Sequence, residues 1–182
     1  MTIGIDKIGF ATSNYVLKLN DLAKERGTDP EKLSKGLLLK ELSIAPITED
    51  IVTLGASAAT EILTDEDKAA IDMVIVATES GIDQSKAAAI FIHGLLGINP
   101  FARSIEIKEA CYGATAALDY AKLHVSSNPQ SKVLVIASDI ATLPPYKRYI
   151  HLFHFLLFDI MQYPPFYIIV QSDLLFDKEQ SR

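Results

Sequence analysis

Asp72-Met73-Val74-Ile75-Val76-Ala77-Thr78-Glu79-Ser80-Gly81 is an apolar run that breaks abruptly into polar residues. No polar side chain interrupts it from Met73 to Ala77. A half-exposed strand would alternate, so this pattern predicts a strand buried on both faces, as in a parallel sheet. Two further short strands are expected at Arg103–Ile107 and Lys132–Ala137, and a first one over residues 3–11. Helical periodicity lies between them. Residues 51–63 place Ile51, Leu54, Ala58 and Ile62 on one face, and residues 85–96 form a helix closed by Gly97 and Pro100. Residues 22–26 and 30–37 read as short helical pieces around Gly27. Strands alternating with helices argue for an α/β layered fold with a mainly parallel sheet.

Cys111 is the only cysteine. It lies in Glu106-Ile107-Lys108-Glu109-Ala110-Cys111-Tyr112-Gly113-Ala114-Thr115-Ala116, where a strand gives way to a small-residue helix. Ala114, Ala117, Leu118, Ala121 and Val125 form that helix's apolar side, opposite Thr115, Asp119, Lys122 and Ser126. Cys111 is thus expected at or near the first turn. Unpaired N–H groups and the positive dipole end there favour thiolate over thiol. On position alone, a small buried hydrophobe is the favoured reading and a nucleophile the second one.

Glu79 ends the strand quoted above, and active groups of open α/β sheets gather beyond the carboxyl ends of strands. A carboxylate held there among apolar residues would have its pKa raised toward neutrality, which suits proton transfer. A solvated loop glutamate is the alternative.

Composition narrows the rest. With 182 residues, 49% of them hydrophobic, one domain with a real core is expected. A net charge of −6 argues against nucleic acid and against an anionic membrane surface as partners. One cysteine excludes an internal disulfide and fits a reducing, cytoplasmic setting. The N-terminus lacks the basic-then-apolar pattern of a signal peptide. No Gly-rich phosphate loop or metal-ligand spacing is present, so no metal is expected.

Taken together, Glu-Ala-Cys-Tyr-Gly-Ala-Thr and Val-Ile-Val-Ala-Thr-Glu-Ser resemble the nucleophile and acid/base segments of the hydroxymethylglutaryl-CoA synthase family, in the thiolase superfamily. Gly4-Ile5-Asp6-Lys7-Ile8-Gly9-Phe10 and Lys132-Val133-Leu134-Val135-Ile136-Ala137-Ser138-Asp139 fit its bacterial members. The resemblance covers residues 1–141 and implies a thiolase-like layered fold, truncated to its N-terminal half. It implies acetyl-CoA and acetoacetyl-CoA as substrates, no metal or redox cofactor, and a homodimer. It further implies that Cys111 carries an acetyl thioester and that Glu79 is the acid/base in condensation, a step of the mevalonate pathway. The family's catalytic histidine and much of its CoA site belong to a second half that this sequence does not contain. Impaired or absent overall turnover is therefore expected. The alternative is a non-catalytic fragment acting only as a dimerising or partner-binding module.

The composition changes after Ala141. No alanine follows it, nine aromatics crowd between Tyr146 and Phe176, and two Pro-Pro pairs stand at Pro144-Pro145 and Pro164-Pro165. The expected division is 1–141, a thiolase-like half, and 142–182, a divergent aromatic tail. A membrane span is disfavoured, since Asp159, Gln162 and Pro164-Pro165 cut the apolar run short of the ~20 residues needed. A new module is a second reading of the tail, and a frameshift read through in a wrong frame is the preferred one. On that view His151 and His154 are accidental. Elsewhere His93 and His124 read as packed or surface residues, and Lys108 as solvated. Glu109 reads as a carboxylate at a helix start, Tyr112 as lining an acyl pocket or packing in the core, and Asp139 as a turn or cap residue.

Overall fold

The computed structural model describes residues 2–31, 35, 40–140 and 167–173. Its elements are β1 (Thr2–Gly9), β2 (Tyr15–Lys18), α1 (Leu19–Glu25), β3 (Glu41–Ile44), α2 (Ile51–Ile62) and α3 (Asp65–Ala70). Then follow β4 (Ile71–Ala77), α4 (Ala88–Leu96), β5 (Arg103–Ile107), a short 3-10 turn (Ala110–Tyr112), α5 (Gly113–Ser127), β6 (Lys132–Ala137) and β7 (Tyr167–Asp173).

Five strands form one sheet in the order β1-β7-β6-β4-β5. β6, β4 and β5 run parallel, and β7 is antiparallel to both of its neighbours. β1 therefore points the same way as the parallel strands, and the sheet is mainly parallel. The registers Val74↔Ser104 and Val74↔Leu134 fix β4 at its centre. β2 and β3 form a separate antiparallel pair.

The pleat sorts the core into two layers. Val74 and Val76 of β4, with Leu134 and Ile136 of β6, pack on α2 and α4 through Ile51, Ala58, Ala59, Ala88, Ala89 and Ile92. Met73, Ile75 and Ala77, with Val133 and Val135, face the other way onto Ala117, Ala121 and Val125 of α5. Burial on both faces explains the unbroken apolar run. Gly55 lets α2 approach closely: a β-carbon there would meet Ile92 Cδ1 at 2.8 Å and Ile136 Cγ2 at 3.2 Å.

Local chemistry fixes the helix ends. Asp50 accepts from the Thr53 amide at 2.8 Å while the Thr53 hydroxyl accepts from the Asp50 amide at 2.9 Å, a reciprocal cap on α2. Thr64 and Asp67 cap α3 in the same way. Gly97, at φ 64, ends α4.

Two expectations require correction. The predicted helix over residues 85–96 starts only at Ala88. Asp83 accepts from the Ser85 and Lys86 amides at 2.7 and 2.8 Å and holds that stretch as a turn. Those amides keep the Asp83 carboxyl below its ordinary range. The capping carboxylate of α4 comes from β5 instead, where Glu106 accepts from the Ala88 amide. Lys108 is not merely solvated either: its Nζ lies 3.1 Å from Glu106 Oε1 and donates to the Asp83 carbonyl.

An ion cluster ties β1 to β6. The Lys7 and Lys132 ammoniums donate to Asp67 at 2.6 and 2.7 Å. Burial pushes this carboxyl up, but the two ammoniums outweigh it and hold the group well below the usual carboxylate range. Residues 30, 31 and 35 are helical, and the rest of the expected 30–37 piece lies outside the described residues, as do His151 and His154.

Candidate functional site

The parallel strands end together. The Thr78 amide donates to the Ile107 carbonyl and the Ser138 amide to the Ala77 carbonyl, each at 3.1 Å. The segments 78–81, 108–112 and 138–140 therefore emerge side by side at the carboxyl edge of the sheet, where α/β sheets bind ligands.

Cys111 lies in the 3-10 turn just ahead of α5, not within the helix proper, and it is exposed. Ala110, immediately before it, has φ 48, a left-handed conformation that costs a residue with a β-carbon about 1 kcal/mol. Gly113 then starts the helix flat against the sheet, since a β-carbon there would lie 3.4 Å from Ala77 Cβ. The smallest residue thus sits where the helix start meets the end of β4.

Glu79 meets the cysteine in this space. The Cys111 sulfur is 3.8 Å from Glu79 Oε1. The apolar enclosure expected around Glu79 is not what is observed: its side chain is exposed. The reason is local, because β4 ends at Ala77 and Thr78 is the last buried residue before the loop turns outward.

Asp139 is the residue that sequence reasoning undervalued. Its Oδ1 accepts from the Glu79 amide at 2.7 Å, the Ser80 amide and hydroxyl at 3.0 Å each, and the Thr78 hydroxyl at 3.1 Å. It is no simple turn residue but the hub that joins the end of β6 to the end of β4. The available signal was that Ser138-Asp139 and Thr78-Glu79-Ser80 both follow apolar strands at equivalent positions.

The remaining candidates fall away from this cluster. His93 is held at both ring nitrogens, Nδ1 by the Ser104 hydroxyl at 3.0 Å and Nε2 by the Ile98 carbonyl at 3.2 Å. His124 sits at the opposite end of the strands, where its Nε2 is 3.3 Å from the Ser131 hydroxyl and 3.5 Å from Asp72. The Glu109 side chain caps nothing, although its carbonyl accepts from the Tyr112 amide. Tyr112 is 58% exposed, which rules out packing in the core of the described residues. Among the described residues no group of His, Cys, Asp and Glu could hold a metal ion, and no helix is long and apolar enough to cross a membrane.

The fold that brings this cysteine and carboxylate to one edge is matched by known proteins along most of the chain. The family model described as "Hydroxymethylglutaryl-coenzyme A synthase N terminal" matches residues 1–147. A hydroxymethylglutaryl-CoA synthase of Enterococcus faecalis is 59% identical over 141 residues, which are 78% of this chain and 37% of that protein. The polyketide-biosynthesis 3-hydroxy-3-methylglutaryl-ACP synthase of Bacillus subtilis is 38% identical over 146 residues, 34% of its length. In structure, an HMG-CoA synthase crystallised with CoA superposes with a TM-score of 0.82 at 57% identity, over 95% of this chain and 42% of the other. The fold is thus thiolase-like, and the chain spans about two fifths of the length of these relatives. The chain belongs to the hydroxymethylglutaryl-CoA synthase family and corresponds to its N-terminal part.

Proposed function

We propose that this chain carries the acyl-transfer half of a hydroxymethylglutaryl-CoA synthase site, with Cys111 as nucleophile and Glu79 as acid/base. The observation that carries the reading is the 3.8 Å approach of the Cys111 sulfur to Glu79 Oε1. Cys111 attacks the acetyl-CoA carbonyl, the C–S bond to CoA breaks, and CoA leaves as a thiol. The acetyl group stays on the enzyme as a thioester, whose α-hydrogens are more acidic than those of an oxygen ester. Glu79 lies close enough to take one of those protons, and the resulting enolate carbon attacks the ketone of acetoacetyl-CoA. Protonation of the new alkoxide by Glu79 and hydrolysis of the thioester then release the product.

CoA is the carrier in this reading rather than an acyl-carrier protein. The 59% and 57% identities are to CoA enzymes, against 38% and 30% to the carrier-protein type. The pathway is the mevalonate route, which takes cytoplasmic acetyl-CoA. Radiolabelled acetyl-CoA tests the assignment: the chain becomes labelled, and both Cys111→Ser and Cys111→Ala remain unlabelled. Label that persists in both variants removes Cys111 from the role.

A second reading has its own observation. On α5, Tyr120 and Leu123 are exposed, and Tyr112 is exposed ahead of the helix. This apolar surface suits a non-catalytic dimerising or partner-binding module. Sedimentation that shows a stable dimer, together with no acetyl label, would favour it.

A further inference from the structure

We infer that Ser80 is a positioning residue for Glu79. Its hydroxyl bridges Asp139 and the Ile140 amide, and so fixes the main chain that sets the Glu79 carboxylate against the Cys111 sulfur. The inference rests on the reading of Glu79 and Cys111 as the reacting pair. Three observations carry it. The Ser80 hydroxyl donates to Asp139 Oδ1 at 3.0 Å and accepts from the Ile140 amide at 3.2 Å, so one side chain spans both strand ends. The Ser80 amide is also engaged, by Asp139 Oδ1 at 3.0 Å and the Thr78 hydroxyl at 3.1 Å. The Glu79 amide, one residue earlier, goes to the same Asp139 oxygen at 2.7 Å.

The physical logic follows from exposure. Glu79 is exposed, and Ser80 next to it is half-buried. The Glu79 main chain sets where its side chain begins, so a shift of that main chain moves the carboxylate with it. Misplacement by about 1 Å costs on the order of a hundredfold in rate at such a site. The Asp139 oxygen gathers four donors, two of them from Ser80. Replacing the hydroxyl removes one of these donors and leaves the Ile140 amide without its acceptor. The loops after β4 and β6 can then drift apart.

The test reads the geometry without any CoA thioester. Alkylation of Cys111 by iodoacetamide is followed across pH in the full chain, by intact mass. A neighbouring carboxylate disfavours thiolate, so Glu79→Gln moves the midpoint of the profile down by about one unit. Ser80→Ala moves it in the same direction by a part of that shift, and adds nothing further in the Glu79→Gln background. Ser80→Thr, which keeps the hydroxyl, retains the parental profile. A structural role alone would lower the melting temperature of Ser80→Ala and leave the profile in place. Two results overturn the inference by itself while Glu79→Gln still shifts the profile: an unshifted Ser80→Ala, or a Ser80→Thr shifted as far as alanine. A profile that Glu79→Gln does not move overturns instead the pairing of Glu79 with Cys111, and the role of Ser80 with it.

Discussion

The Cys111 sulfur and Glu79 Oε1 stand 3.8 Å apart although 32 residues separate them in the chain. The parallel register of β4 with β5 makes this possible, because Ala77 pairs with Ile107 and both strands end at one edge. Every further element of the site, including Asp139 after β6, arrives at that edge by the same device.

Overall turnover is a separate matter from acylation. The chain spans 37% of the Enterococcus faecalis relative. Positioning and electrostatic groups for the second substrate are expected in the remainder, and their loss costs orders of magnitude in rate. A steady-state assay of the chain alone is expected to give little or no hydroxymethylglutaryl-CoA. A turnover near the typical ~10 s⁻¹ would contradict this.

The Asp67 cluster sets an acid limit on stability. Because its folded-state pKa lies below the unfolded one, its contribution is complete above pH ~4 and fades as the pH falls further. Asp67→Asn leaves the Lys7 and Lys132 ammoniums facing a neutral group and is expected to cost about 3 kcal/mol near neutral pH. The same variant should lose less than the parent when both are unfolded by urea at steadily lower pH. Parallel losses would assign the acid sensitivity elsewhere.

β7 sits inside the sheet, paired to β1 on one side and β6 on the other, with Ile169 opposite both Lys7 and Leu134. Ile169→Pro in the full chain removes a ladder N–H and does not fit an interior strand. A lower urea midpoint is expected, equivalent to more than about 1 kcal/mol. An unchanged midpoint would mean that this strand does not hold β1 to the rest of the sheet.

Gly55→Ala tests the close approach of α2. Its β-carbon meets Ile92 Cδ1 and Ile136 Cγ2 inside normal contact distance, so overpacking of about 1–3 kcal/mol is expected. A gain in stability, as helix propensity alone would give, would show that α2 can move outward freely.

Much of this was legible from sequence because the signals were local. The unbroken run in β4 announced burial on both faces, and β5 and β6 fall at their expected residues. Gly97 announced the end of α4. What stayed hidden depends on partners far along the chain. The start of α4 is set by Glu106, 18 residues away, and the Glu79 loop by Asp139, 60 residues away. β2, β3 and α3 were missed because they are short and carry little periodicity of their own. Cys111 and Glu79 could each be nominated from position, but their proximity follows only from strand order.

In the proposed reaction Glu79 acts on an acetyl group held by Cys111. The direct measurement is solvent exchange of the acetyl methyl hydrogens in deuterium oxide, read by mass spectrometry of the labelled peptide. The parent chain is expected to incorporate deuterium into acetyl-Cys111. Glu79→Gln is expected to acetylate normally and to exchange at least a hundredfold more slowly, within the range of ~10²–10⁴ that general-base catalysis contributes. Equal exchange in the two proteins, at equal acetylation, would contradict the assignment of Glu79 as the base.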